Sequence, residues 1–212
     1  MTAQVGVETG TLSNITSTRV DVAIGGHTAG TEDIIVTLTN GESDTLIDGI
    51  GFTDTRILFV TSTIHTGDLG GIAGADAICA ARAAAGGLTG TFQAWIADGT
   101  TSPSTRTGQL TTVEFISTTG QTIAPNWVGL VDGSIDVGID KDESGATVAL
   151  GVRAWTNVDA LGGGSLGSDH CSGWTSTSGS GRTGIVGNST SFWTNNLSTF
   201  ACSGTAHLYC IE

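Results

Sequence analysis

Hydrophobic positions near the start of the chain fall in short runs with a period of two. Ile34, Val36 and Leu38 alternate with Ile35, Thr37 and Thr39, the spacing of a strand buried on one face. Val20-Asp21-Val22-Ala23-Ile24 and Thr45-Leu46-Ile47-Asp48-Gly49-Ile50 are further β-rich runs, and Gly25-Gly26 and Asn40-Gly41 punctuate them as turns. Two or three such strands are marginal alone. Residues 1–55 are therefore expected to pack on the rest of the chain or on other copies of themselves, either as a docking or oligomerisation segment or as a simple added β-layer. Arg56–Thr61 reads as another strand, β-branched and aromatic. The pattern then changes to an alanine-rich stretch, Ile72–Ala85, which predicts a helix that Gly86-Gly87 would stop. Beyond Trp155 periodicity fades. Residues 156–200 hold Gly162-Gly163-Gly164, Ser176–Gly181 and Asn195-Asn196, with Trp174 and Trp193 among them. A glycine-rich stretch this long inside a domain marks functional loops.

Charge narrows the partners. Seven Lys and Arg stand against 20 Asp and Glu, a formal net charge of −13. A nucleic-acid backbone or an anionic membrane would repel such a chain, and no apolar run approaches the roughly 18 residues of a membrane span. The 33 glycines suit short strands and long loops. Met1–Val5 carries neither a basic region nor an apolar one, so no secretory signal is read there. The four cysteines, by contrast, point to an oxidising destination, outside a cell or on a virus particle. Four cysteines allow three connectivities, and their positions alone do not choose among them.

Longer stretches of text carry a resemblance. Thr66–Cys79 followed by Gly90-Thr91-Phe92-Gln93-Ala94-Trp95 is very similar to the helix-then-strand passage of endostatin-like domains. Asn126-Trp127-Val128-Gly129-Leu130 resembles the core strand of C-type lectins, Cys171-Ser172-Gly173-Trp174 their second-cysteine segment, and Leu208–Glu212 their terminal strand. These matches run in family order over about residues 57–212. The chain thus resembles the C-type lectin-like fold, in its endostatin-like branch. The resemblance implies an α+β domain over 56–212 behind a small β segment at 1–55, with bridges Cys79–Cys210 and Cys171–Cys202. It also implies that the 156–200 loops carry binding, which selects Asp169, His170, Trp193, Asn195 and Asn196 as ligand candidates. Trp127, Trp155 and Trp174 read as core pegs.

The same comparison removes several family properties. The calcium tripeptides of sugar-binding C-type lectins do not occur, and Trp193-Thr194-Asn195-Asn196 lacks the carboxylate that a hard cation needs. His27, His65, His170 and His207 do not reproduce the zinc cluster of endostatin. The acidic face is the reverse of a heparin-binding one. Asp132, Asp136, Asp140 and Asp142 form the one candidate for a divalent ion such as Ca²⁺. Counted from Asp140, however, position twelve is Gly151, where an EF-hand requires Glu. No other cofactor is expected. Gly163-Gly164-Ser165-Leu166-Gly167 matches a serine-nucleophile pattern by letter, without the strand before it or the helix after it. His170 beside Cys171 is the only sequence-adjacent base and thiol. The sequence therefore predicts a non-enzymatic surface protein that binds a glycan or a protein through its loops. The alternative is a decoration or fibre protein that docks on a particle or filament through residues 1–55.

Overall fold

The computed structural model describes residues 1–6, 8–13, 21–23, 30–37, 40–52, 54–162, 164 and 166–212. Several expectations lie outside the described residues: Val20 and Ile24, the Gly25-Gly26 turn, His27, Leu38 and Thr39, and Gly163 and Ser165 of the nucleophile-like pattern. The chain divides into two units, Met1–Asp54 and Thr55–Glu212.

In the first unit, β1 (Thr2–Val5), β2 (Glu8–Ser13), β3 (Asp21–Ala23), β4 (Gly30–Thr37) and β5 (Ser43–Phe52) form one antiparallel sheet in the order β3-β2-β1-β4-β5. The register puts Ala3 opposite Gly10 and Val36, Val5 opposite Ile34, and Ile34 opposite Leu46. One face thereby collects Leu12, Ala3, Val5, Ile34, Val36 and Leu46, with Glu8 and Asp44 among them, and the other Thr2, Gln4, Thr9, Thr11, Ile35, Thr37 and Thr45. The period-two pattern has produced an amphipathic sheet. Only Ala3 and Val5 of its described apolar residues are buried, while Leu46 and Ile47 are 62% and 74% exposed.

The second unit opens with β6 (Thr55–Val60) and α1 (Gly71–Ala85). Alanine carries the helix, and its end has a stated cause. Gly87 sits at φ 74°, its N–H bonds Ala84 O, and the Leu88 N–H reaches Ala83 O, the paired bonds of a Schellman stop. Ala75, Cys79 and Ala83, spaced by four, face inward. The sheet continues with β7 (Gln93–Ala94), β8 (Glu114–Ile116), β9 (Thr122–Ala124), β10 (Arg153–Trp155), β11 (Ser180–Ile185), β12 (Thr199–Ala201) and β13 (His207–Ile211). Their order is β12-β11-β10-β13-β6-β8-β9, with β7 also on β13. Alternation along the central strands separates two cores. Phe59, Leu208 and Cys210 face the α1 side, where Trp155 and Trp174 pack; Leu58, Val60, Tyr209 and Ile211 face the other, with Trp95, Trp127 and Trp193.

The α+β expectation is corrected: strands hold 35% of the chain and helices 16%, in two sheets. Alanine-rich text occurs once, and the other helical elements among the described residues, α2 (Pro103–Arg106), α3 (Trp127–Leu130), the turn Cys171–Trp174 and the 3-10 turn Ser191–Trp193, are single turns. Gly, Thr and Ser elsewhere disfavour longer ones. The strand expected at Asn126–Leu130 is itself one of these turns. Asn126 caps it by accepting the Gly129 N–H at 3.0 Å, an N-cap geometry that ends extended backbone at that residue.

Candidate functional site

Both disulfides join the pairs the resemblance implied, Cys79–Cys210 and Cys171–Cys202, with Cα separations of 5.4 and 5.7 Å. They lie on the α1 side of the sheet. Beside the second, the chain makes a rare left-handed turn: Cys171, Ser172, Gly173 and Trp174 have φ of 51°, 57°, 71° and 64°. The His170 carbonyl accepts the Trp174 N–H at 2.7 Å, and His170 Nδ1 accepts the Gly173 N–H at 2.7 Å. That bond makes Nδ1 the acceptor, so the neutral ring carries its proton on Nε2. Nε2 faces Gly99, where a Cβ would stand 3.5 Å from it.

Gly99 belongs to a turn built by Asp98. Asp98 Oδ1 accepts the N–H and hydroxyl of both Thr100 and Thr101, at 2.8–3.0 Å. Partial burial would raise its carboxyl, but these four bonds outweigh it and lower the carboxyl to about 2. On the other flank Asp169 pairs with Arg182 at 3.3 Å and accepts the Ser180 hydroxyl at 3.2 Å. The half-exposed rim therefore combines a fixed carboxylate, a directed imidazole N–H, threonine hydroxyls and a carboxylate–guanidinium pair. Such a surface can hydrogen-bond a polar ligand. His170, with one ring nitrogen spent on backbone, has no described hydroxyl or thiol nucleophile bonded to it.

The five ligand candidates separate on burial. Asp169, His170 and Asn196 stay partly accessible. Trp193 does not: it is 1% exposed, its ring centroid 5.0 Å from the tilted Trp95 ring and 5.7 Å from the edge-on Tyr209 ring, and so offers no face to a ligand. Asn195 is 6% exposed and spends its Oδ1 on the Leu197 N–H at 3.0 Å. Asn196 likewise caps Ser198 at 2.9 Å, with its amide on Thr183 Oγ1 at 3.0 Å. Trp127, Trp155 and Trp174 are core residues. The aromatic loops thus turn their rings inward.

The acidic stretch is also taken apart. Asp132 caps Ser134 at 3.0 Å, Asp140 pairs with Lys141 at 3.4 Å, and Asp136 is exposed. Asp142 is buried and accepts from the Ser144 N–H and hydroxyl and the Ala146 N–H, which lower its carboxyl against the opposing effect of burial. Among the described residues no three His, Cys, Asp or Glu side chains form a metal-holding group. Asp132 and Asp142 are each spent on their own turn and Asp140 on Lys141, so the four do not converge on one ion.

Sequence reasoning missed two charged clamps. Glu143, 3% exposed, accepts from Arg82 Nε at 2.8 Å, Arg82 Nη2, the Ser62 N–H at 2.9 Å and the Ser62 hydroxyl at 2.5 Å, joining the end of α1 to the strand exit at β6. Asp76 on α1 pairs with Arg106 at 2.5 Å and takes the Ala94 N–H at 2.9 Å. Partners 61 and 30 residues apart leave no local signal. The Asp98-Gly99-Thr100-Thr101 turn did carry one, since Asp-Gly before hydroxyl residues is Asx-turn text.

The first unit adds a different kind of surface. Ser43–Ile47 on β5 is exposed throughout, and an open cavity of about 300 Å³ lined by Val36, Glu42, Ser43 and Asp44 adjoins it. No protein-family model and no curated protein matches this chain.

Proposed function

We propose that this chain is a non-enzymatic structural protein displayed outside a cell or on a particle, with its first unit as the assembly element and its second as the exterior head. The observation that carries this reading is the contrast between the units. The second has two cores and two disulfides, whereas the first buries only Ala3 and Val5 among its described apolar residues; exposed apolar side chains occur in both, Leu46 and Ile47 in the first and Leu150 and Leu197 among those of the second. A sheet with one apolar face requires a second layer or a partner. Two disulfides fit an oxidising, extracellular destination, and among the described residues no helix is long and apolar enough to cross a membrane.

A second reading, a binding head for a glycan or protein, is favoured by the polar rim at Asp98, Gly99, Asp169 and His170. The lectin-like resemblance supports a head of this kind through its disulfide pairing and its helix-then-strand passage. The turn at Trp127–Leu130 departs from it.

Antibody labelling of native material tests the display reading. Regular label on a virion or filament, lost when residues 1–54 are deleted while the head stays folded, is the expected result. Label confined to the interior of cells would overturn it. A glycan and matrix-protein screen with wild type and His170→Ala tests the second reading; retention that the substitution leaves unchanged would remove the rim from consideration.

A further inference from the structure

Asn40 is the only asparagine of the chain that precedes a glycine; every other one precedes a residue with a side chain. Asn40 and Gly41 lie exposed in the connection between β4 and β5. Gly41 has φ 89°, nothing stands within 4 Å of where its Cβ would be, and among the described residues no hydrogen bond holds its N–H. Asn40 builds an Asx turn: its Oδ1 accepts the Glu42 N–H at 3.1 Å, and its Nδ2 donates to Glu42 Oε2 at 2.8 Å. The second bond fixes which way the amide faces. The ring closed by the first contains both Asn40 Cγ and the Gly41 nitrogen, so the turn already folds the amide back along its own main chain.

We propose that Asn40-Gly41 is a site of spontaneous covalent modification, at which Asn40 closes to a cyclic imide and reopens as isoaspartate. The Gly41 nitrogen bonds to Asn40 Cγ, the Cγ–Nδ2 bond breaks, and the proton of the Gly41 N–H leaves with Nδ2 as ammonia. Water, the only co-reactant, then opens the imide. Attack at Cγ gives aspartate, and attack at the Asn40 main-chain carbonyl gives isoaspartate, with the chain running through the side chain. Two features of the turn favour the closure. Negative charge gathers on Oδ1 as the nitrogen attacks, and the Glu42 N–H already donates there. Gly41, lacking Cβ, also lets its nitrogen approach Cγ unhindered. Asn188 supplies an internal comparison: its Oδ1 accepts the Thr190 N–H at 2.8 Å in the same kind of turn, but the attacking nitrogen would belong to Ser189, whose Cβ crowds it. The product places an extra methylene in the main chain next to the Thr37–Ser43 pair that begins the β4–β5 ladder. It also adds a carboxylate close in sequence to Glu42 and Asp44, which line the open cavity of the first unit. The site is independent of the display reading, because its chemistry needs no partner and no location.

Peptide mapping by mass spectrometry reads the reaction on the purified full chain, held in neutral to mildly alkaline buffer made with water enriched in heavy oxygen. The Asn40 peptide is expected to be the first to show the mass change from amide to acid, with solvent oxygen incorporated, ammonia released in equal amount, and isoaspartate in excess of aspartate. Conversion accelerates as the pH is raised, because the attacking nitrogen must lose its proton. Gly41→Ser slows it about tenfold or more, towards the rate at Asn188, and the order of conversion within the wild-type chain reads the same steric effect without any substitution. Asn40 still an amide at the end of the series, or converting after Asn188 or any other asparagine, would overturn the proposal. Aspartate without isoaspartate would do the same, since it marks direct hydrolysis with no imide. Protection of Asn40 in the folded chain relative to the urea-unfolded chain would also overturn it, because the turn would then resist the closure.

Discussion

Ser172 occupies φ 57°, ψ 50° within the left-handed turn, a region that costs a side-chain-bearing residue about 1–2 kcal/mol and glycine little. Ser172→Gly is expected to stabilise the protein by about 0.5–1 kcal/mol, net of the extra freedom glycine brings to the unfolded chain, and thermal unfolding measures it. Tyr209 is the opposite case. Its hydroxyl is buried with no hydrogen-bond partner, and burial pushes its ionisation far above the ordinary value. Removing an unpaired buried hydroxyl relieves a cost of about 1 kcal/mol or more, so Tyr209→Phe is expected to hold or raise the melting temperature. A drop would mean that the hydroxyl is partnered. Asp98 gives a pH dependence of known sign. Its folded carboxyl lies at about 2 against an ordinary 3.8, so its contribution is present above pH 3.8 and is lost as pH falls towards 2. Asp98→Asn should flatten this part of an acid-unfolding curve. At this scale the sequence was legible where chemistry is local, as in the Asp98 turn. It was silent on Glu143, whose meaning depends on Arg82 and Ser62 arriving from elsewhere.

Among the elements, α1 was the most legible because alanine propensity and the Gly86-Gly87 stop both act within one stretch of chain. Its attachment is long-range. Cys79–Cys210 closes a loop of 131 residues, for which the chain-entropy model assigns about 5 kcal/mol. Replacing both cysteines by alanine should lower stability by up to about that amount in denaturant titration, and more than loss of Cys171–Cys202, whose 31-residue loop corresponds to about 4 kcal/mol. α3 shows how a short element escapes pattern reading. Trp127 and Leu130, three apart, bury in one core as helix residues do, and the Asn126 cap turns the chain helical, but four residues are too few for a period to declare itself. The loop region escaped in another way. β11 passes so close to Trp193 that a Cβ on Gly184 would lie 1.7 Å from the Trp193 carbonyl oxygen. Gly184→Ala is expected to displace that segment and expose Trp193, seen as a red shift of tryptophan emission and a stability loss of about 3 kcal/mol.

At the scale of the whole molecule, two units in one chain solve burial differently. The second builds an apolar core on each face of a sheet and staples that arrangement with disulfides; the first buries only Ala3 and Val5 among its described apolar residues. The β-rich runs at Ile34–Thr37 and Thr45–Ile50 and the acidic charge of the chain were legible in advance, since composition and period are properties of the chain itself. Which edge stays open was not, because strand order is a property of the closed sheet.

By itself the sequence determined the strand text, the one long helix with its stop, the acidic net charge, and the four cysteines that ask for an oxidising setting. Tertiary structure decided that strands dominate, that Asp132, Asp136, Asp140 and Asp142 do not converge on one site, and that Trp193 and Asn195 lie inside while Asp98 and His170 form a rim. The physical reason is common to these outcomes. Propensity, charge and turn chemistry act between near neighbours and can be read along the chain, whereas burial and hydrogen-bond satisfaction depend on residues that only folding brings together.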